Sequence, residues 1–143
     1  MADAFDGAQV AVQISDDGRF EVTMQQPGML RPLRTAELSD GTLRFLMWAV
    51  ALLTPRPPPL MVLNKPETSL HPDLLPALGA LIARASRETQ LIVVSHATRL
   101  VAAIEDAAPA DACQRIELEK SIGETVAQCH GACDAPQWHW PER

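Results

Sequence analysis

Two runs near the start of the chain alternate apolar and polar residues. They cover residues 8–14 and 20–24, and Asp16, Asp17 and Gly18 lie between them. Alternation with a period of two is typical of a strand that buries one face. An Asp-Gly step between two such runs favours a tight turn. The chain is therefore predicted to open with an antiparallel hairpin.

A long apolar run follows a polar start. Ser39 and Asp40 are candidate N-caps for a helix that continues to about residue 53 and stops before Pro55. The run is apolar on nearly every face, which predicts a helix buried within a larger assembly. The proline-rich segment 55–59 is expected to be a stiff connector.

Two short continuous apolar runs predict the strands of a parallel sheet. They cover residues 60–63 and 91–94, and runs of this kind are typical of strands buried on both faces. A helix is predicted between them, from about Pro72 to Arg87, and a third helix after His96. Because helices and strands alternate along the chain, we expect parallel strands joined by right-handed crossovers.

Polar residues stand at the ends of three of these elements. Ser39 and Gly41 open a helix, where free backbone N–H groups and the helix dipole form an anion site. Asn64, Lys65 and His96 follow the two buried runs, and ligands bind open α/β sheets at the carboxyl edge of their strands. An ordinary N-cap, a polar loop and a surface histidine would each explain one segment alone. The order and spacing of all three favour a ligand site.

The three segments together resemble the nucleotide-binding motifs of ABC-class ATPases. LSDGT, at 38–42, resembles the signature loop; LMVLNKPETSLHP, at 60–72, resembles Walker B followed by the D-loop; VVSHATRL, at 93–100, resembles the switch-histidine segment. Over residues 30–105 the chain is identified as a member of the AAA-type ATPases grouped with the RecF, SMC and OLD-like proteins. The resemblance implies an α/β fold with a partly parallel sheet flanked by helices. This fold is the C-terminal half of a P-loop NTPase head, preceded here by the hairpin.

The resemblance implies that Ser39, Gly41, Asn64, Ser69 and His71 bind nucleotide. It implies a catalytic place for two residues, Lys65 and His96. Ser39 and Gly41 match the signature positions that grip the γ-phosphate of ATP bound to the opposite subunit. Ser69 and His71 fall in the D-loop, which lies along the dimer interface. His96 matches the histidine that senses the γ-phosphate.

The catalytic pair departs from the family pattern. Asn64 matches the Walker B carboxylate and would hold Mg²⁺ weakly, through water, while Lys65 matches the glutamate that polarises the attacking water. An ammonium group is a donor only and cannot act as a general base, so hydrolysis is expected to be crippled. Glu67 as a substitute acceptor is the less favoured alternative. Lys65 could instead bind phosphate as a point charge, or pair with Glu67 or Asp73 at the surface.

The phosphate-binding loop G-x-x-x-x-G-K-[ST] does not occur in the sequence. The lysines are Lys65 and Lys120, and neither follows a glycine. In this family that loop belongs to the N-terminal lobe, so the resemblance implies an incomplete head. Mg²⁺ and ATP would bind only with a complementary lobe or a second head, as a homo- or heterodimer.

The length of the chain suggests how it is organised. The 143 residues suit a single lobe, with a hairpin in 1–35, a motif core in 36–106, and terminal strands and a tail in 107–143. Two short strands are predicted within that last part, near Arg115–Glu119 and Glu124–Ala127.

Charge and hydropathy exclude other classes of function. A net charge of −6 disfavours direct nucleic-acid binding, and no stretch reaches the ~20 apolar residues of a membrane span. The acidic N-terminus is unlike a secretory signal, so a cytoplasmic location with reduced thiols is expected.

Three hypotheses for function remain. The leading one is an ATP-binding, ATP-hydrolysing lobe that is inactive alone and impaired by Lys65. The alternative is a non-catalytic pseudo-ATPase module that docks onto a partner lobe. A zinc site at Cys129, Cys133 and His139 is the least favoured, because the pattern offers no convincing fourth ligand.

Overall fold

The computed structural model describes residues 4–5, 7–14, 17–109, 112–121 and 124–130. The chain divides into two compact units, Met1–Ala108 and Pro109–Arg143. The first unit contains all of the segments that resemble nucleotide-binding motifs.

An antiparallel hairpin opens the first unit, as predicted. Strand β1 (Gln9–Ile14) pairs with β2 (Phe20–Gln25), and the register runs from Gln9 opposite Gln25 to Ile14 opposite Phe20. A two-residue strand, β3 (Leu33–Arg34), extends the sheet on the far side of β2. Gly18, in the turn, has a φ of 78°, a conformation that glycine adopts without steric cost.

Helices and parallel strands then alternate, which confirms the predicted α/β class. In chain order these elements are α1 (Asp40–Leu52), β4 (Leu60–Asn64), α2 (Leu75–Ala85), β5 (Gln90–Val94) and α3 (Thr98–Ala107). Strands β4 and β5 are parallel neighbours. A 3-10 turn at Pro72–Leu74 leads into α2, so the predicted start at Pro72 is correct for the helical segment as a whole.

The core of the first unit lies between the three helices and one face of the parallel sheet. Each element contributes side chains to it, and the most completely buried are Phe45, Leu63, Leu78, Ile82 and Leu100. Helices α2 and α3 approach closely at Gly79, where an added Cβ atom would lie 2.6 Å from the Cβ of Ala103. The core therefore depends on a small residue at this crossing.

The expectation that β4 and β5 are buried on both faces is wrong in this structure. Their side chains alternate, and the face turned away from the helices carries Leu60, Val62, Ile92 and Val94, which are between 45% and 60% exposed. The helices cover only one face of the sheet, and in the described part of the chain no layer covers the other. Helix α1 likewise buries Phe45, Ala49 and Leu52 but leaves Met47 and Val50 exposed.

The second unit contains an antiparallel pair. Strand β6 (Arg115–Ser121) pairs with β7 (Glu124–His130), so the two predicted strands are present and slightly longer than expected. Across the described residues, no helix has the length and apolar character needed to cross a bilayer.

A charge pair links the two ends of the segment 31–37, which precedes α1. The guanidinium of Arg31 donates to both carboxylate oxygens of Glu37, at 2.8 and 2.6 Å, and the backbone N–H of Arg34 donates to the same carboxylate at 2.9 Å. Hydrogen bonds from Arg31 and then from the Arg34 N–H lower the pKa of Glu37 to about 2. The carboxylate is therefore ionised over the whole physiological range.

Removal of Arg31 is expected to raise the pKa of Glu37 back towards the ordinary carboxyl value of 4.5. Because the folded pKa lies below the unfolded one, the contribution of this pair to stability is present above pH 4.5 and disappears as the pH falls towards 2. The measurement is a ¹³C NMR titration of the Glu37 carboxyl in wild type and Arg31→Met. Arg19→Met is the control, since Arg19 contacts Asp17 in the hairpin. A wild-type midpoint near 4.5 would contradict the pair.

Candidate functional site

The carboxyl ends of β4 and β5 coincide at one edge of the parallel sheet. Asn64 lies opposite Val94 in the register, and the N–H of Lys65 donates to the carbonyl of Val94 at 2.7 Å. The loops that leave the two strands therefore begin side by side, one with Lys65 and the other with Ser95 and His96. This juxtaposition is the one that the strand pattern predicted.

The loop after β4, residues 65–71, has an unusual backbone. Lys65 and Ser69 have positive φ values, 50° and 63°, although neither is glycine. The left-handed conformation costs roughly 1–2 kcal/mol for an L-residue with a side chain, and such conformations cluster at functional sites. Pro66 is fully buried and anchors the loop. The side chains of Lys65 and Ser69 remain exposed.

The same loop contacts the start of α1. A Cβ atom added to Gly41 would lie 3.0 Å from the carbonyl oxygen of Ser69 and 4.0 Å from the N atom of His71. A side chain at position 41 would therefore press on the loop backbone. The fold thus brings Ser39 and Gly41, at the helix start, next to Ser69 and His71.

Ser39 is the N-cap of α1. Its hydroxyl oxygen accepts a hydrogen bond from the N–H of Thr42 at 3.2 Å and lies 2.9 Å from the Thr42 hydroxyl. This cap satisfies one of the free N–H groups at the helix start and leaves the N–H groups of Asp40 and Gly41 without an intrahelical acceptor.

His71 is engaged locally. Its Nδ1 accepts a hydrogen bond from the N–H of Asp73 at 3.3 Å and so caps the 3-10 turn before α2. The Asp73 carboxylate lies 3.4 Å from His71 and 3.9 Å from Arg99. The Asp73 carboxylate therefore pairs with Arg99, and among the described residues no carboxylate lies within 4.0 Å of the Lys65 ammonium group. The surface ion pair considered for Lys65 is not formed.

The sequence suggested Glu67 as a less favoured acceptor or as an ion-pair partner of Lys65, but in the structure its carboxylate contacts the loop after β5. Its Oε1 accepts a hydrogen bond from the N–H of His96 at 3.0 Å, across the edge of the sheet. Its Oε2 is buried and has no hydrogen-bond partner in the described part of the chain. No local pattern in the sequence indicates this contact, because the two residues are 29 positions apart.

The pKa of Glu67 is lowered by the balance of two effects. Burial raises the pKa, but hydrogen bonds from its own N–H, from the N–H of His96 and from the Ser95 side chain lower it by more in sum. The group is consequently a carboxylate at neutral pH.

The residues present do not fit a directly bound cation. Asn64 offers a neutral amide, Lys65 offers no acceptor, and the nearby carboxylate of Glu67 is already used by His96. Within the described ranges, no group of three His, Cys, Asp or Glu side chains could hold a metal ion. Mg²⁺ would therefore be held here through water at Asn64, with its remaining ligands supplied from elsewhere. The side chains of Cys129, Cys133 and His139, the proposed zinc ligands, lie outside the described residues.

Comparison with known families gives a match over most of the chain. Residues 3–102 match the model of a family described as "AAA domain, putative AbiEii toxin, Type IV TA system". A comparison with curated proteins found no match.

Solved structures of SMC ATPase heads share the fold. One, from work on ATP-driven dimerization and DNA stimulated activation of SMC ATPases, has a TM-score of 0.68 at 16% identity, with 91% of this chain and 78% of that chain covered. The SMC head domain from Thermotoga maritima has a TM-score of 0.61 at 20% identity, with 92% of this chain and 44% of that chain covered. A head from Pyrococcus furiosus bound to the C-terminal domain of ScpA has a TM-score of 0.66 at 18% identity, with 90% and 32% covered.

These likenesses establish the fold of a P-loop NTPase head of the ABC and SMC type. The chain spans less than half the length of the Thermotoga and Pyrococcus heads. The family match covers residues 3–102, which include the hairpin, the parallel sheet and all three motif segments. The chain therefore belongs to this family of AAA-type ATPase domains.

Proposed function

We propose that this chain is a lobe of an ABC-class ATPase head that closes over ATP bound by another lobe. We also propose that it hydrolyses ATP poorly because of Lys65. The observation that carries the proposal is the alignment of the β4 and β5 ends, which places Asn64, Lys65 and His96 on one edge. Loop 65–71 joins this edge to the start of α1 at Gly41. The three motif segments thus form one continuous surface.

The start of α1 would bind the γ-phosphate of ATP held by another lobe. The helix is 13 residues long, and its dipole and free N–H groups favour an anion at this end. The Ser39 hydroxyl is already placed at the helix cap, next to these N–H groups. His96, exposed on the adjacent edge, would sense the same phosphate group, and Ser69 and His71 would line the interface.

Lys65 would act as a phosphate-binding charge rather than a base. It is exposed, and no described carboxylate competes for its ammonium group within 4.0 Å. An ammonium group binds phosphate as a point charge but cannot take a proton from water. ATP and its Mg²⁺ would therefore be bound by the assembled head and hydrolysed slowly.

A second lobe would supply the missing phosphate-binding loop. The uncovered face of the parallel sheet, defined by Leu60, Val62, Ile92 and Val94, supports such a partner, since apolar side chains of this kind are normally covered in a parallel sheet. The lobe could belong to a longer form of this polypeptide or to another chain, and two heads would then form a homo- or heterodimer. We place the assembly in the cytoplasm, and 1–143 within a single head lobe.

A non-catalytic docking module is the second candidate. The same uncovered face favours it, because an exposed apolar surface supports association whether or not ATP is bound. In this alternative, the partner lobe would bind the chain equally well with and without nucleotide.

Calorimetric titration of the purified chain with Mg-ATP tests the proposal. We expect no measurable heat from the chain alone and binding once a lobe with the phosphate-binding loop is added, with His96→Ala weakening that binding. Glu88→Gln, a change to an exposed residue near the opposite end of β5, is the matched control. Micromolar binding by the chain alone that disappears in His96→Ala would overturn the idea of an incomplete head. Nucleotide-independent association would favour the docking module.

A further inference from the structure

The carboxylate of Glu67 lies between the loop after β4 and the loop after β5. Its Oε1 accepts a hydrogen bond from the N–H of His96 at 3.0 Å. Its own backbone carbonyl accepts from the N–H of Leu70 at 3.0 Å, so the residue is held firmly within loop 65–71. Glu67 thus cross-links two loops that carry different candidate motifs.

This cross-link adds to the sheet pairing at the same edge. The hydrogen bond from the Lys65 N–H to the Val94 carbonyl fixes where the two loops begin, but it does not contact His96 itself. The bond from His96 to Glu67 fixes the backbone of His96 itself. Hydrogen bonds to an ionised acceptor are about twice as strong as neutral ones. The position of His96 therefore depends on one side chain of the opposite loop.

Burial argues against a direct chemical role for Glu67. Its Oε2 is closed to solvent, and its Oε1 is occupied by the His96 N–H. A general base must come within hydrogen-bond reach of the proton that it removes. Glu67 is therefore not placed to activate water, which is the role of the family glutamate that Lys65 matches.

We propose that Glu67 is a positioning residue that holds the main chain of His96 in register with loop 65–71. Because Ser69 of this loop packs against Gly41, the switch histidine and the start of α1 are connected through a single loop. If a bound phosphate displaced α1, loop 65–71 would move with it, and the hydrogen bond from His96 to Glu67 would shift the backbone of His96. The expected effect of Glu67 on ATP binding rests on the proposed function. The placement of His96 by Glu67 does not depend on it.

Amide hydrogen exchange of the full chain, measured by NMR, tests the placement. In Glu67→Ala the His96 N–H should exchange roughly tenfold or more faster, because a charge-assisted hydrogen bond is lost. The N–H of Lys65, which is bonded to Val94, should keep its protection. Glu67→Gln retains a carbonyl acceptor and should restore much of the protection of His96.

A matched control separates positioning from a general loss of stability. Thr89→Val removes the hydroxyl that donates to the Pro58 carbonyl, at the opposite end of β5. This variant should lower the melting temperature without a selective change at His96. Unchanged exchange at His96 in Glu67→Ala would overturn the proposal, as would an equal increase at Lys65 and His96. If Glu67→Ala does not fold, Glu67→Met decides, because it keeps the length of the side chain but offers no oxygen acceptor to the His96 N–H. A selective loss of protection at His96 supports the proposal, and unchanged protection contradicts it.

The functional consequence has its own measurement. In a head completed by a lobe with the phosphate-binding loop, Glu67→Ala should weaken Mg-ATP binding about tenfold while Glu67→Gln stays near wild type. Absence of ATP binding in every form, combined with the predicted exchange at His96, would refute the proposed function and leave the positioning intact. Equal ATP affinity in wild type and Glu67→Ala would contradict the link between the two.

Discussion

Replacement of Gly79 by alanine is expected to lower the free energy of unfolding by about 1–3 kcal/mol. The new Cβ would lie 2.6 Å from the Cβ and 2.9 Å from the carbonyl carbon of Ala103, so α2 and α3 would have to move apart. Helix propensity alone would make the alanine variant more stable than wild type by about 1 kcal/mol. A less stable variant would therefore show that the close packing of the two helices dominates. Urea denaturation of the full chain measures the change in stability.

A compensating change provides the control for this prediction. Ala103→Gly removes the nearest of the atoms that the new methyl group would strike, although the backbone carbonyl of residue 103 remains. The double variant Gly79→Ala/Ala103→Gly should therefore be more stable than Gly79→Ala but less stable than wild type. Ala103→Gly alone should cost about 1 kcal/mol through helix propensity. A stabilised Gly79→Ala variant would mean that the two helices can separate without loss, and the close crossing would not be a determinant of the core.

Replacement of Lys65 by glutamate is expected to raise ATP hydrolysis by ~10²–10⁴-fold in a head completed by the missing lobe. The side chain would gain the acceptor that an ammonium group lacks, at the edge where β4 and β5 end together. Steady-state release of phosphate gives the rate, and thermal melting checks the fold. Lys65 has a φ of 50°, and because glutamate also carries a Cβ atom its backbone cost in this conformation should be similar, so the two forms should be comparably stable.

The control for charge is Lys65→Met, which removes the ammonium group without adding a carboxylate. It should leave hydrolysis low and weaken Mg-ATP binding if Lys65 contacts phosphate. Equal rates in Lys65→Glu and Lys65→Met would show that loss of the positive charge, rather than a new base, is responsible. If both variants bind Mg-ATP normally and neither hydrolyses it, the chain acts as a docking module.

Local patterns were sufficient for the elements and for the edge of the sheet. The Asp-Gly step between alternating runs predicted the hairpin at Gly18, and Ser39 was correctly predicted among the candidate N-caps of α1. The two apolar runs predicted strands whose ends coincide, and this places Lys65 beside Val94. These features follow from side-chain periodicity and from hydrogen bonds between near neighbours, which a sequence displays directly.

The candidate site contains features that no local pattern indicates. The positive φ of Lys65 and of Ser69 is imposed by a loop packed between α1 and the sheet, although both residues ordinarily avoid that conformation. The bond from His96 to Glu67 joins residues far apart in the chain. The exposure of Val62 and Val94 depends on which layers are present, whereas their apolar character fits burial on both faces.

Local sequence patterns were enough to predict the α/β class, the order of the elements and the set of polar residues at the carboxyl edge of the sheet. Three features arise only from tertiary contacts: Glu67 holds His96, Gly41 must be small because Ser69 lies against it, and no layer of the described residues covers one face of the sheet. The difference lies in how far apart along the chain the interacting residues are. Periodicity and capping act within a few residues, while close approach, shared hydrogen bonds and burial depend on how distant segments pack.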